Sequence, residues 1–300
     1  MAKTRTRKIL LGSGLVVLAL LVGIGWYVVE RILPAMGGGE PVVDTVPPEL
    51  PGDLAGELVI LDFSKTAGFR HVEAIAAAHT SLQAIAAAQG WGVFSTENAA
   101  VFNAEQLSRF DVVVGNNTTG DNWTAEQKQA FIAWMEAGGG FVGVHGAAGT
   151  RYRYWNWYTD VLLGGGRFIG HPMFPQFQEA TVQVEDGSHP AMAHFGPSFQ
   201  HTDEWYSFEQ RARQAGSHVL ATLDEASYEP KSFGQDLAMG DHPIIWTACT
   251  GAGRSFYSAL GHTAETYARP DHATMLEGAI SWAAGKVGTC GASEPLAQTR

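Results

Sequence analysis

The sequence predicts an α/β fold built on a doubly wound, mostly parallel sheet with antiparallel additions. Two observations support the parallel part. Short apolar runs alternate with helical segments between residues 58 and 144. The first run, residues 58–63, is apolar at every position except Asp62, as in strands that are buried on both faces. A third observation supports the antiparallel part, because strand-like runs follow one another at short intervals from residue 180 onward.

The helices carry recognisable end signals. An alanine-rich stretch from about residue 72 to Gln89 stops at Gly90, a residue type that favours the left-handed conformation after a helix. Thr124 and Gln127 have the spacing of a capping box and predict the start of a second helix. A last amphipathic helix is predicted at residues 272–284. Strands are predicted at residues 58–63, 91–95, 111–115, 141–144, 180–185, 204–208, 218–223, 243–248 and 255–260.

The strand before His145 ends in a turn of small residues. Gly143, His145 and Ala147 have the layout of a nucleophile elbow, in which small neighbours permit a sharp strand-to-helix turn that exposes one side chain. The exposed side chain here is an imidazole and not a hydroxyl or a thiol. The pattern therefore argues against acyl transfer and against glutamine amidotransferase chemistry at this residue.

The N-terminus resembles a membrane anchor. A basic run at residues 3–8 precedes residues 9–29, which carry no charge and would span ~30 Å as a helix. Trp26 and Tyr27 stand where an interfacial aromatic belt would lie. We interpret this segment as an uncleaved signal anchor, with a cytoplasmic N-terminus and a body in the periplasm or outside the cell. A cleaved signal peptide is the alternative.

Composition divides the chain into four parts. Residues 1–31 form the basic tip and the transmembrane anchor, and residues 32–56 form a linker rich in Pro and Gly. Residues 57–285 form one folded domain, and residues 286–300 form a flexible tail. Cys249 and Cys290 form one disulfide or remain two unpaired thiols, and the sequence leaves both possibilities open.

Charge and missing motifs exclude several function classes. The chain has 30 acidic against 19 basic side chains and a net charge of −11, so it has no electrostatic reason to bind nucleic acid. It contains no P-loop, no dinucleotide-binding glycine motif, no G-x-S-x-G and no H-E-x-x-H. Nucleotide cofactors and the familiar serine-hydrolase and zinc-protease sites are thereby excluded, whereas a neutral small molecule such as a sugar remains a candidate ligand.

The candidate site residues lie at predicted strand ends. Ligands of doubly wound sheets bind beyond the carboxyl ends of the parallel strands, where histidines and carboxylates of this chain cluster. Imidazole titrates near neutrality, so a histidine beside a carboxylate is suited to acid–base catalysis. The predicted catalytic residues are His145, Glu204 and Asp203. The predicted substrate-binding residues are Ser64, His71, Asn117, Thr118, Asp121, Trp205, His171 and His242.

A divalent metal such as zinc is a further candidate. Its catalytic sites use imidazole and carboxylate ligands from elements that meet in space. His145, His262 and Glu204 form the predicted ligand set, with His71 and His242 as alternates. None of these pairs has the short local spacing of a zinc motif. The sequence therefore favours a metal-free histidine–carboxylate site over a zinc site.

Seven stretches of the chain match a known family and keep their order: residues 63–71, 117–121, 138–150, 171–172, 203–206, 239–243 and 259–263. In these stretches the chain resembles the ThuA-like, or trehalose-utilisation, family, relatives of the class I glutamine amidotransferase-like proteins. The resemblance covers about residues 57–285 and implies a flavodoxin-like fold and a role in disaccharide or keto-sugar metabolism. Family members often carry Ala and Asp at the elbow where this chain has Gly146 and Gly149, so any role of that Asp is absent here.

Two functions follow as expectations. The first is a membrane-anchored extracytoplasmic enzyme, a hydrolase, lyase or isomerase, that acts on a disaccharide or keto-sugar by histidine–carboxylate chemistry. The second is a membrane-tethered carbohydrate-binding module without turnover. The expected partners are a sugar and the membrane. The oligomeric state is left open.

Overall fold

The computed structural model describes residues 20–23, 25–26, 43–149, 155–209 and 212–290. The chain divides into two compact units, Met1–Glu40 and Pro41–Arg300. In the first unit the described residues are helical. No helix within the described part of the chain is both long and apolar enough to cross a membrane. Most of the predicted anchor, residues 9–19, 24 and 27–29, lies outside the described residues.

The second unit is a mixed α/β domain around a nine-stranded sheet, which confirms the predicted α/β class. Its order is β2-β1-β3-β4-β13-β12-β9-β6-β7. The first five strands in this order pair in parallel, and their order is that of flavodoxin-like sheets. The remaining four strands are joined by antiparallel pairings. The sheet strands are β1 (Val59–Phe63), β2 (Gly92–Thr96), β3 (Val112–Asn116), β4 (Gly140–Val144), β6 (Gln178–Val184), β7 (Ser198–Asp203), β9 (His218–Leu223), β12 (Pro243–Thr250) and β13 (Gly253–Ser258).

Shorter elements complete the domain. Two small antiparallel pairs join β5 to β8 and β10 to β11. Among the helices, α1, α4 and α5 contact one another, and α2 contacts α3. The helices are α1 (Val72–Gln89), α2 (Ala104–Leu107), α3 (Ala125–Glu136), α4 (Ala264–Ala268) and α5 (Pro270–Ala283). The short strands are β5 (Phe168–Gly170), β8 (Ser207–Phe208), β10 (Lys231–Ser232) and β11 (Gln235–Asp236).

Local sequence explains several of these elements. Thr124 and Gln127 form the predicted capping box at the start of α3. Gly90 ends α1 in the left-handed conformation, with φ of 70°. Gly140 lets α5 pack directly on β4, because a Cβ atom there would lie 2.7 Å from the Ala283 carbonyl oxygen. The apolar runs that predicted β1, β3 and β4 are buried in the core.

One predicted strand is wrong. Residues 204–208 were expected to form a single strand, but β7 ends at Asp203 and only Ser207 and Phe208 pair again, in β8. Glu204 therefore stands just beyond a strand end instead of within a strand. The segment Ser198–Asp203 was not predicted, because exposed polar residues alternate with Phe199, His201 and Asp203, so the segment lacks the apolar run of an inner strand.

Both ends of the domain reach further than composition suggests. Asp44, within the predicted linker, accepts a hydrogen bond from the Ala99 amide at 2.8 Å and pairs with Lys65. The Gln127 side chain donates to the Asp44 carbonyl at 2.8 Å. At the other end, a disulfide joins Cys249 to Cys290, so the structure contains the paired form of these cysteines.

Candidate functional site

Four side chains converge at one edge of the sheet. His145 follows β4, His262 lies just after β13, Glu204 follows β7, and His71 precedes α1. One ligand-type atom of each lies within 4.8 Å of those of the other three. We call these residues, His71, His145, Glu204 and His262, the histidine–glutamate cluster.

Sheet topology explains this convergence. β4 and β13 are parallel neighbours, so their carboxyl ends lie at the same edge. Four antiparallel pairings separate β13 from β7, and an even number of reversals makes β7 run in the same direction. The turn after β13 reaches the end of β7, where Asp203 accepts a hydrogen bond from the Gly261 amide at 2.8 Å.

Three atoms of the cluster form a tight triangle. The Nε2 atom of His145 lies 3.1 Å from Nδ1 of His262 and 3.5 Å from Oε2 of Glu204. The third edge, from Nδ1 of His262 to Oε2 of Glu204, is 3.0 Å. His145 and Glu204 are buried, whereas the side chain of His262 keeps 14% of its surface exposed.

His145 is held in a strained position, as an elbow requires. Its φ is 41°, in the left-handed region that a residue with a side chain rarely adopts. Its Nδ1 lies 2.7 Å from the carbonyl oxygen of Ala259 and therefore carries the hydrogen of that bond. The ring packs against Tyr206, with centroids 4.2 Å apart. In the neutral form the Nε2 lone pair thus points into the triangle.

Asp203 holds the backbone around the cluster. Its carboxylate accepts hydrogen bonds from the amides of Glu204 at 2.8 Å, Gly261 at 2.8 Å and His262 at 3.2 Å. It also lies 3.2 Å from Nε2 of His201. Asp203 was predicted as a catalytic residue, and in this structure it positions the backbone of two cluster members, Glu204 and His262.

The outer oxygen of Glu204 is occupied. Its Oε1 accepts a hydrogen bond from Nε2 of Gln176 at 2.6 Å and lies 3.1 Å from Nδ1 of His171. The two oxygens of this carboxylate therefore have different surroundings, because Oε2 faces His145 and His262. His171, a predicted substrate-binding residue, thus contacts the cluster from outside through Glu204.

His71 is the member with the fewest partners. It is 95% buried, and its Nδ1 has no hydrogen-bond partner among the described residues. It stands at the N-terminal end of α1 but makes no side-chain capping bond. Its ring packs edge-on against His145 and His262, with centroid distances of 4.9 and 4.6 Å. Helix capping, one structural role for this position, is therefore absent.

Burial and neighbouring charges set the protonation of the cluster. Burial, with the nearby His145 and His262, holds the pKa of His71 well below its ordinary value, so His71 is neutral. For His145, burial opposes the charged form, but the hydrogen bond to Glu204 and the charge of Asp203 outweigh it and raise the pKa. Burial likewise opposes ionisation of Glu204, yet both histidines hold its pKa far below the usual range. The site thus combines an ionised carboxylate with at least one neutral imidazole.

A cleft of about 290 Å³ leads to the cluster. His71 and His262 line it together with Phe69, Phe177 and Thr263. The two phenylalanines are partly exposed, and the Phe177 ring lies 4.9 Å from that of His262. The cleft therefore has apolar walls and opens onto the imidazole of His262.

Comparison with known proteins identifies the family. The model of the ThuA family, described as trehalose utilisation, matches residues 59–283. This chain belongs to the ThuA family. A ThuA-like protein from Bacteroides uniformis is 26% identical, with a TM-score of 0.66 over 80% of this chain and 95% of that chain.

More distant structures share the fold. A ThuA-like protein from Parabacteroides merdae is 18% identical, with a TM-score of 0.59 over 78% of this chain and 92% of that chain. A cytoplasmic protein from Salmonella typhimurium is 12% identical, with a TM-score of 0.50 over 75% and 98%. The comparison with curated proteins found no match.

Two predicted substrate-binding residues of this ThuA domain lie away from the cleft. Both ring nitrogens of His242 are engaged, Nδ1 with the Glu225 carboxylate at 2.8 Å and Nε2 with the Tyr206 carbonyl at 2.8 Å. Trp205 is fully buried, and its indole donates to the Gln178 carbonyl at 2.9 Å. In this structure Trp205 therefore packs in the core, away from the cleft, and both ring nitrogens of His242 already have partners within the protein.

The loop after β3 supports the elbow instead of the cleft. Asn117 has φ of 51° and donates to the Tyr267 hydroxyl at 2.9 Å. Gly146 packs closely beside it, because a Cβ atom there would lie 3.0 Å from the Asn117 carbonyl oxygen. Asp121 pairs with Lys128 at 2.6 Å. The predicted substrate-binding residues Ser64, Asn117, Thr118 and Asp121 are absent from the lining of the cleft.

The sequence analysis missed four contributors to the site. Phe69 and Phe177 line the cleft, Gln176 binds the outer oxygen of Glu204, and the Ala259 carbonyl fixes the orientation of His145. Phe69 lies within a stretch that matched the family, but nothing marked its side chain as exposed. Ala259 also lies within such a stretch, but nothing there marked its carbonyl oxygen. Gln176 and Phe177 have no local signal, because their positions depend on where separate elements meet.

Proposed function

We propose that this ThuA domain is an enzyme that acts on a neutral sugar, a disaccharide or a keto-sugar, in the cleft above the histidine–glutamate cluster. The observation that carries the proposal is the placement of a buried glutamate and three histidines at the end of an accessible cleft. Burial of several polar groups together costs free energy, and such groups are concentrated at catalytic sites.

The cleft lining supports a neutral, partly apolar substrate. Phe69 and Phe177 offer flat apolar surfaces, which suit the carbon-rich face of a sugar ring. Arg70, the basic residue of the lining, is held by Glu97 with contacts of 2.6 and 3.1 Å. Glu73 and Glu265 also line the cleft. An anionic substrate such as a phosphorylated sugar would therefore meet carboxylates without a free cation to balance its charge.

The geometry supports proton transfer within the cluster. Nε2 of His145 and Oε2 of Glu204 are 3.5 Å apart, and His262 lies between them and the cleft. A histidine and a carboxylate in this relation can exchange a proton with a hydroxyl or carbonyl group of a bound sugar. This arrangement supports a hydrolase, lyase or isomerase reaction in preference to group transfer from a covalent intermediate.

A turnover assay tests this proposal. The full-length protein in detergent is incubated with trehalose, maltose and their keto derivatives, and products are followed by chromatography. We expect a product with at least one of these sugars, and we expect His145→Ala to abolish its formation while sugar binding persists. The matched control is His218→Ala, a change at an exposed histidine paired with Asp186, which should leave turnover unchanged. Sugar binding without any turnover in the wild-type protein would instead identify a carbohydrate-binding module.

Membrane attachment is part of the same proposal. The support comes from the uncharged residues 9–29 behind a basic run, which would place the ThuA domain outside the cytoplasm. Protease added to intact spheroplasts should then digest the domain. Full protection of the domain, or recovery of a soluble protein whose N-terminus lies beyond residue 27, would contradict the anchor.

A further inference from the structure

We propose that the histidine–glutamate cluster binds one divalent transition-metal ion, of the chemical class of Zn²⁺, through His71, His145, Glu204 and His262. The proposal does not rest on the sugar substrate. It rests on the distances within the cluster, on the orientation of its lone pairs and on an unpartnered buried nitrogen.

The distances match the face of a coordination tetrahedron. Ligands about 2.0–2.2 Å from a tetrahedral zinc ion lie about 3.3–3.6 Å from one another. The three edges of the triangle formed by His145, His262 and Glu204 are 3.0, 3.1 and 3.5 Å. Shifts of a few tenths of an ångström would bring these atoms to the distances that a metal requires.

The lone pairs point to the same place. Because Nδ1 of His145 donates to the Ala259 carbonyl, its Nε2 is the free ligand atom. A histidine ligand whose second nitrogen donates to a carbonyl oxygen is the usual arrangement in metal sites. For Glu204, Gln176 and His171 occupy Oε1 and leave Oε2 for the ion. A proton or a cation must separate the Nε2 lone pair from that carboxylate oxygen.

His71 supplies the second, independent observation. Its imidazole is 95% buried, offers a nitrogen within 4.8 Å of the other ligand atoms, and leaves Nδ1 without a partner among the described residues. A buried unpartnered nitrogen is costly in a merely structural role. It is what a ligand position requires, because a metal binds the neutral imidazole.

Charge and access also fit a cation. Two buried carboxylates, Asp203 and Glu204, lie at the cluster, and together they would balance a divalent ion. Three imidazoles favour zinc and similar transition metals over Mg²⁺ or Ca²⁺, which prefer oxygen ligands. The cleft reaches His262, so a substrate oxygen or a water molecule could enter the coordination sphere from that side.

The two proposals make different demands on the same residues. A side chain that binds the ion through its lone pair cannot carry a proton on that atom at the same time. In the metal-bound form, proton transfer would pass to a group outside the ligand set, of which His171 is the nearest that contacts Glu204. Because metal binding involves only the four side chains of the cluster, it can be tested without any knowledge of the substrate.

The test measures binding directly. The full-length protein, purified without nickel affinity and treated with chelator, is titrated with Zn²⁺ in a calorimeter and with Co²⁺ in a spectrophotometer. We expect one ion per chain and the visible absorption of four-coordinate Co²⁺, and we expect no binding of Mg²⁺. His262→Ala and Glu204→Gln should weaken Zn²⁺ binding by more than about 100-fold, because each removes a ligand. His218→Ala should leave it unchanged.

Two further variants complete the test, and the first of them, His71→Leu, guards against loss of folding. His71→Leu should retain the unfolding transition of the metal-free protein but lose the absorption spectrum of the wild-type Co²⁺ complex. Asp203→Asn, which touches no ion, should weaken binding by about 10–100-fold through its hold on the ligand-bearing backbone. Substoichiometric Zn²⁺ binding by the wild-type protein, or equal affinity in the folded His71→Leu and wild-type proteins, would overturn the proposal.

Discussion

Replacement of His71 by leucine separates a functional histidine from a structural one. The Nδ1 atom of His71 is buried without a partner among the described residues, so the metal-free protein bears the cost of its desolvation. That cost is about 1–3 kcal/mol for a neutral polar group, and leucine would remove it. A volume-conserving swap introduces packing strain of less than about 1.5 kcal/mol. We therefore expect the free energy of unfolding of the chelator-treated variant to lie between about 0.5 kcal/mol below and 3 kcal/mol above the wild type.

His242→Leu is the matched control for this measurement. His242 is equally buried, but both of its ring nitrogens have partners, the Glu225 carboxylate and the Tyr206 carbonyl. Leucine would leave both partners unsatisfied, and we expect a loss of at least about 3 kcal/mol. Urea unfolding of both variants, followed by circular dichroism, gives the comparison.

Addition of Zn²⁺ extends the same experiment. An ion at about 100 times its dissociation constant should stabilise the wild-type protein by about 2.7 kcal/mol. It should stabilise the His71→Leu variant less, because one ligand is missing. A His71→Leu protein that loses as much stability as His242→Leu would refute the view that His71 is kept for a ligand and not for the fold.

Three further predictions concern stability. Burial opposes ionisation of Glu225, but His242 and two backbone amides lower its pKa to about 2. Because the folded pKa is below the unfolded one, this stabilising contribution is complete above about pH 5 and is lost as the pH falls towards 2. Urea midpoints measured across this pH range should therefore fall less steeply in Glu225→Gln than in the wild-type protein. The Cys249–Cys290 disulfide closes a loop with a sequence separation of 41, and its removal by Cys290→Ser should lower the free energy of unfolding by about 2–4 kcal/mol. Asp203→Asn should lower the free energy of unfolding by about 2–4 kcal/mol in urea unfolding, since the change weakens three charge-assisted bonds to backbone amides. The same pH dependence in Glu225→Gln as in the wild type, or an unchanged urea midpoint in either of the other two variants, would contradict the corresponding argument.

The parallel half of the fold could be predicted because its signals are local. Strands β1, β3 and β4 are buried on both faces, and their sequences are therefore short apolar runs. The capping box of α3 and the glycine after α1 mark helix ends within a few residues. Strand β7 escaped prediction because Ser198, Gln200 and Thr202 are exposed on one of its faces, so the segment has no apolar run.

The site could be predicted only in part, because its members are far apart in sequence. His145 and His262 are separated by 117 residues and meet because β4 and β13 pair in parallel. That pairing is a property of the whole sheet and leaves no mark in the sequence around either residue. What the sequence did contain was the position of each histidine at or just beyond an apolar run, and this was sufficient to name both as candidates.

The different roles of the adjacent carboxylates, Asp203 and Glu204, could be assigned only from the structure. Asp203 and Glu204 were both predicted to be catalytic, since they stand at the start of the strand expected at residues 204–208. Successive side chains of an extended chain point in opposite directions, so two neighbours cannot face one site in the same way. Asp203, the last residue of β7, binds the backbone amides that hold the turn after β13, and Glu204 directs Oε2 at the histidines. Their different roles follow from the end of β7 at Asp203. The sequence did not predict this strand end, because a strand was expected at residues 204–208 instead.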